Sequence, residues 1–287
     1  MIRGKSVYHV CQNEGRIYSK NGLLGYYNNL TEKVTRFGLG GNAIPTTKTD
    51  EGKEIYFSIA IFQYGLGAFD LFLLNKDDAM LKKAMACADW AVENQLENGG
   101  WLTFSHSSPK HPYSAMAQGE AISLLLRIYK NTSQEKYLTA AIKAKEFMLL
   151  SLEEGGTTKY VGEDVFLYEN TDQPLILNGW IFSIWGLWDY SKVLSDGESF
   201  EIVNKSLASL EKKLADFDIG YWSKYDENKR ITSPFYHSLH ISQLKVMYDL
   251  TGRQIYLEYA QKWESYQKSF WKRKRAFIKK ALQKVFE

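Results

Sequence analysis

Between residues 168 and 240 the chain concentrates side chains that can move protons: Tyr168, Glu169, Asp172, Tyr225, Asp226, Lys229, Arg230, Tyr236, His237 and His240. This mixture of phenols, carboxylates, imidazoles and cations suits two chemistries. Glycoside hydrolysis needs an acid and a base or nucleophile, normally two carboxylates. Glu169, Asp172 and Asp226 are candidates, yet no spacing singles out a pair. The alternative is removal of the proton next to the carboxylate of a uronic acid. A cation must then neutralise that carboxylate so that the enolate-like intermediate is tolerable. A phenol, with a reference pKa of about 10, becomes a strong base once a neighbouring cation favours its ionised form. Tyrosines near Arg230 and His237 would meet that need, although the same residues also suit plain aromatic packing with solvated hydroxyls.

Other chemistries find no support. The chain has no phosphate loop, dinucleotide fingerprint, nucleophile elbow or paired CxxC. His106 and His111 lie five apart, and His237 and His240 three apart, without the nearby carboxylates a metal site would want. Neither a metal nor a cofactor is expected.

The elements that must position these groups repeat. Segments beginning at Gln63, Ala117, Leu177 and Tyr236 each open with polar groups, usually beside glycine, and continue as an apolar helix. Their anchors Gln63, Gln118, Asn178 and His240 recur at an interval of about 60 residues, a structural repeat. A more polar helix follows each one. Leu81, Ala84, Met85, Ala88 and Val92 form one stripe, and Tyr256, Tyr259, Ala260, Trp263 and Phe270 another; comparable outer helices are expected over 134–152 and 198–216. Buried inner helices paired with one-faced outer helices predict an all-α fold, an incomplete α/α toroid of about four helix pairs. Turn signals at Asn98-Gly99-Gly100, Gly155-Gly156 and Asp218-Ile219-Gly220 separate the pairs. The aromatic-rich stretches after them predict short β-hairpins or extended loops gathered at one mouth, where the chemistry should lie.

Particular strings carry a resemblance. DWAVENQLENGGW (Asp89 to Trp101), YSAMAQGEAIS (Tyr113 to Ser123), PLILNGW (Pro174 to Trp180) and YHSLHISQL (Tyr236 to Leu244) occur in this order. Together they resemble the C-terminal helical domain of D-glucuronyl C5-epimerases of the heparin/heparan sulfate type, over roughly residues 55–270. The resemblance implies conversion of D-glucuronate to L-iduronate within a polysaccharide by loss and regain of the C5 proton, on an α/α barrel that is usually dimeric. It implies catalytic roles for Tyr168, Tyr225 and Tyr236, and substrate contact at Asn178. Arg230 is then expected to hold the carboxylate, with Glu169, His237, His240, Gln118 and Trp101 as further substrate-binding residues. Two positions depart from the family pattern. Leu167 stands where the family has an acidic residue, with Glu169 two places on, and Asn228 replaces an arginine, with Lys229 and Arg230 following. A long β-rich region of the animal enzymes is also missing. A glycuronan lyase, which shares the first step, and a catalytically silent glycan-binding protein remain as alternatives.

Composition agrees with a sizeable core: 287 residues, 45% hydrophobic and 15% aromatic. The net charge of +3 is unevenly divided, because residues 272–287 hold seven of the 36 basic residues and one of the 33 acidic ones. The remainder is mildly acidic, which argues against a nucleic-acid partner. Three regions follow: an N-terminal extension over 1–54 packing on the toroid, the toroid over 55–270, and a basic amphipathic tail over 271–287. Such a tail suits either a membrane surface or docking on the toroid. The two cysteines form no pattern, and residues 1–30 hold no continuous apolar stretch. A cytoplasmic location, peripheral at the inner membrane face, is the expectation.

Overall fold

The computed structural model describes residues 10–37, 43–49 and 51–286. Parts of the expected N-terminal extension, together with the last residue of the tail, therefore lie outside the described residues. A short helix α1 (Thr31–Phe37) and a two-stranded ribbon, β1 (Thr47–Lys48) with β2 (Glu54–Ile55), precede the helix pairs. The pairs are α2 (Ser58–Asn75) with α3 (Asp78–Asn94), α4 (Ala115–Thr132) with α5 (Glu135–Leu149), α6 (Leu177–Leu194) with α7 (Gly197–Lys213), and α8 (Pro234–Thr251) with α9 (Gln254–Lys268). A last helix, α10, covers Phe270–Phe286.

The inner helices α2, α4, α6 and α8 pack side by side in chain order, each backed by its outer partner, so the fold is an incomplete α/α toroid. By length and composition α2 could cross a membrane, but 67% of it is buried as an inner helix of this ring. Each inner helix ends in the same way. Lys76, Ser133, Ser195 and Gly252 adopt left-handed φ values of 56°, 56°, 51° and 71°, and the chain turns directly into the outer helix. Three of these four positions are not glycine, so the tight turn is specified by the packing of the two helices rather than by residue type. Between α4 and α6, a Cβ on Gly186 would collide with the backbone of Gly119, which is why those helices approach so closely.

The outer helices bury narrower stripes than expected. In α3, Ala84, Cys87, Ala88 and Ala91 are buried, while Leu81, Met85 and Val92 are only partly covered. In α9, Tyr256, Ala260, Trp263 and Tyr266 face inwards. Phe270 is not on that stripe, because α9 stops at Lys268 and Phe270 starts the exposed α10. Of the three expected hairpins only one forms a regular ladder, β3 (Thr158–Val161) with β4 (Asp164–Leu167). Residues 99–108 are irregular with a turn over 103–107, and the stretch after α7 holds isolated bridges at Lys224–Ile231 and Asp218–Ser223.

The N-terminal extension does more than pack on the toroid. Residues 17–30 cross the C-terminal halves of the inner helices and close that end as a floor. Asp70 of α2 accepts the Tyr26 N–H at 2.8 Å. Arg127 of α4 donates to the carbonyls of Leu24 (2.9 Å), Gly25 (3.0 Å) and Ser123 (2.9 Å) and pairs with Asp189 of α6 at 2.6 Å. The Tyr27 hydroxyl donates to the other Asp189 oxygen at 2.6 Å, and Lys20 reaches Asp249 of α8 at 3.1 Å. A buried charge pair is tolerable only when its remaining donors and acceptors are satisfied, as these are. The toroid is thus a cup, closed by the floor and open at the N-terminal ends of the inner helices.

Candidate active site at the mouth of the toroid

The mouth holds a cavity of about 300 Å³, a volume that suits a small ligand or one or two sugar units. Its wall is mostly apolar, with Phe57, Ile59, Met116, Phe182, Phe235 and Leu239. Gln63, Glu169, Asn178 and Tyr236 are polar groups on that wall, joined by Gln12, Lys33, Thr46 and Thr47 from the N-terminal segment.

Glu169 is the acid at the centre of this cluster. It follows the β3–β4 hairpin and lies on the first turn of α6, whose N-cap residue Ile176 supplies no side-chain cap. The carboxyl seats against Gly179, where any Cβ would collide with it, and Asn178 Nδ2 donates to its Oε2 at 3.3 Å. Loss of water raises its pKa from 4.5 to about 7, with Arg230 and Asn178 opposing the rise.

Tyr225 and Tyr236 stand edge to face with ring centroids 4.8 Å apart. Tyr236 comes from the start of α8, where Ser233 caps the Tyr236 N–H at 3.4 Å and Pro234 opens the helix. Burial, then the Glu169 charge, pushes the Tyr236 phenol up to about 12, and the same causes lift Tyr225 well above 10. The expectation of an ionised phenol is therefore corrected: desolvation outweighs the single nearby guanidinium. Burial favours the protonated form of both phenols, and Glu169 is the carboxyl on the cavity wall whose pKa is raised to about 7.

Arg230 sits behind this pair. Its Nε is ion-paired with the buried Asp226, its guanidinium lies 5.3 Å from the Tyr225 ring centre, and its buried Nη2 has no partner. Neither Arg230 nor Tyr225 lines the cavity itself, and Arg230 and Lys229 together line a shallow outer hollow next to it. Lys33 supplies a second cation on the opposite, N-terminal side. Desolvation lowers its pKa to about 8, with Glu120 opposing the fall, so it is still mostly charged at neutral pH. Glu120, fully buried in α4, accepts Gln63 Nε2 at 2.7 Å through one oxygen and has no partner on the other.

Several expected site residues are committed elsewhere. Tyr168 does not line the cavity; it packs against the core, its backbone N–H donates to Thr157 and its carbonyl accepts from Ala115. Gln118 donates to the carbonyls of Gly99 (3.0 Å) and Ala144 (3.1 Å), and buried Trp101 donates to Ala91 at 2.9 Å. These bonds tie the loop at Gly99 to α4 and α5, so the two residues brace the mouth rather than line it. His237 stacks on Trp222, hydrogen-bonds Ser223 at 2.8 Å and contacts the Trp263 carbonyl at 3.0 Å. His240 lies beneath it, and desolvation lowers the two imidazoles to about 4 and about 3. Both are neutral core histidines. Asp172 is exposed, and among the described residues no group of three or more His, Cys, Asp or Glu could hold a metal.

Sequence reasoning missed Lys33, Gln63's partner Glu120 and the wall from residues 45–47. Lys33 lies outside the repeat, and nothing in its neighbours marks it. Glu120 is written into the Ala117–Ile122 string, where its partnership with Gln63 of the preceding repeat was the available signal.

Residues 95–265 match the family model described as D-glucuronyl C5-epimerase C-terminus. The chain belongs to that family. It is 29% identical over 210 residues to the D-glucuronyl C5-epimerase of Caenorhabditis elegans, a match covering 63% of this chain and 34% of the relative. It is 28% identical over 155 residues to an uncharacterised protein of Methanocaldococcus jannaschii, covering 52% of this chain and 50% of that one. The chain thus matches between a third and a half of the length of these relatives. Among solved structures, an unsaturated glucuronyl hydrolase from Bacillus sp. GL1 superposes with a TM-score of 0.49 at 16% identity, over 72% of this chain and 61% of its own. An endo-β-1,4-glucanase from Acetobacter xylinum gives 0.48 at 14%, over 77% and 72%.

Proposed function

We propose that this protein is a uronate C5-epimerase that converts D-glucuronate to L-iduronate within a glycan. The observation that carries this reading is one cavity presenting a carboxyl near pKa 7, Glu169, together with a protonated phenol, Tyr236. Inversion at C5 requires exactly two such partners in turn: a base that takes the proton from one face and an acid that returns one to the other. Ionised Glu169 takes the C5 proton, and the C5–H electron pair moves into the adjacent carboxylate as an enolate-like dianion. Tyr236, with Tyr225 alongside, delivers a proton to the opposite face, and exchange with water restores both groups. Lys33 on the cavity wall is the cation placed to stabilise the developing charge, and Arg230, which lines the adjoining outer hollow, acts on the same cluster through its opposition to the rise in the Glu169 pKa. Asn178 orients Glu169, and the aromatic wall offers sugar-stacking surface.

The test is deuterium uptake at C5 of a glucuronate polymer in heavy water. Glu169→Gln and Tyr236→Phe are each expected to slow exchange by about 10²–10⁴-fold, with Tyr168→Phe close to the parent protein. Normal exchange in Glu169→Gln would overturn the assignment of the base. Exchange accompanied by ultraviolet absorbance of an unsaturated uronate would make the protein a lyase, and no exchange in any form would leave a glycan-binding protein.

A further inference from the structure

Helix α10 docks with the wrong face for a packing element. A helix held for its hydrophobic burial turns its apolar stripe inwards. In α10 the inward contacts are instead Ala276, which is buried, and Gln283, whose Oε1 accepts the Ile231 N–H at 3.1 Å. Lys272 lies 4.0 Å from the centre of the Tyr266 ring and Arg275 4.0 Å from that of Tyr221, which fix the helix along one flank. The opposite face carries Trp271, Phe277, Ile278 and Leu282, exposed by 74%, 61%, 49% and 52%. At 100° per residue these four lie on one outward arc, which also carries Lys274. Lys279 and Arg275 border that arc on one side, and Arg273 and Lys280 on the other. The helix contains no acidic residue.

We propose that α10 attaches the protein to an anionic lipid bilayer, with Trp271, Phe277, Ile278 and Leu282 entering the headgroup boundary and the flanking cations meeting lipid phosphates and carboxylates. The charge pattern selects this occupant. A second copy of the same helix would bring two cationic borders together, and a nucleic acid would leave the exposed aromatic and aliphatic side chains without an apolar partner. A bilayer of anionic lipid satisfies both halves of the face, the apolar arc by insertion and the basic rims by surface potential. The toroid is held rigidly to that surface, because Gln283 bonds the loop that also carries Arg230.

The full chain should cosediment with vesicles of phosphatidylcholine containing phosphatidylserine, and not with phosphatidylcholine alone. Binding should weaken as salt is raised. Ile278→Glu with Leu282→Glu, two changes at half-exposed positions away from Ala276 and Gln283, should lower the bound fraction on the order of tenfold or more while far-ultraviolet circular dichroism stays unchanged. Lys274→Gln with Lys279→Gln should weaken binding by a smaller factor. Vesicle binding that survives the glutamate pair would reduce the interaction to bulk polyanion attraction and overturn insertion. A dimer in light scattering that dissociates in the glutamate pair, without vesicle binding by the parent chain, would assign the face to a second copy and overturn the membrane role.

Discussion

The Arg127–Asp189 cluster at the floor and the cluster around Glu120 and Glu169 at the mouth treat buried charge in opposite ways. At the floor, Arg127 meets three carbonyls and the Asp189 carboxylate, while both Asp189 oxygens also accept hydroxyls from Ser123 and Tyr27. At the mouth, Glu120 has one oxygen without a partner, Asn178 Oδ1 and Arg230 Nη2 have none, and Glu169 is lifted to about pKa 7. A satisfied charge network holds a structure together, whereas unsatisfied polar groups cost stability and persist where a ligand or water completes them. The difference is between these two clusters rather than between whole ends, because at the floor Asp70 is also raised to about 7 and Tyr26 Oη and Asn28 Oδ1 have no partner.

The sharpest way to break this contrast is to cut the floor. Arg127→Met leaves Asp189 buried without its cation and should cost about 3–5 kcal/mol in denaturant unfolding. Glu120→Gln at the mouth keeps the Gln63 contact in shape and should shift stability by no more than about 1 kcal/mol. Comparable losses in the two variants would erase the distinction.

Smaller effects sharpen the boundary of the site. Gln118→Leu removes two bonds to the Gly99 loop and α5, and should cost about 1–3 kcal/mol while leaving KM for the glucuronate polymer unaltered. A raised KM with unchanged stability would return Gln118 to substrate binding.

Glu169 adds a pH dependence at the mouth. Glu169 binds its proton more tightly folded than unfolded, since its pKa rises from 4.5 to about 7. The stability this contributes is fully present below pH 4.5 and is lost as pH rises through about 7. Urea midpoints measured at pH 5 and pH 7.5 should therefore converge in Glu169→Gln relative to the parent protein. Identical pH slopes would mean that the carboxyl is better solvated than its surroundings indicate.

Much of the scaffold was legible because it is written in local patterns. The four apolar inner helices, their period and the glycine beside Gln118 and Asn178 are consequences of helices that must pack closely on nearly every side, as the Gly119–Gly186 approach demonstrates. Asn178, Tyr225, Tyr236, Glu169 and Arg230 were legible as a neighbourhood, since the repeat places the segments before α6 and α8 at one mouth. Their protonation was not. A phenol beside an arginine reads as acidified on paper, but desolvation decides the sign once Tyr225 and Tyr236 face each other and Glu169.

The sequence by itself determined the helix pairs, the end of the ring where the titratable side chains gather and the basic, amphipathic character of the last helix, because each follows from periodicity or composition within a few turns of chain. Tertiary structure alone decided that Gln118, Trp101, His237 and His240 brace the mouth, that residues 17–30 form the floor, that Lys33 reaches the cavity and that α10 turns its apolar face outwards. Those outcomes depend on which groups, distant in the chain, compete for the same buried donors, acceptors and apolar surface, and no local pattern records that competition.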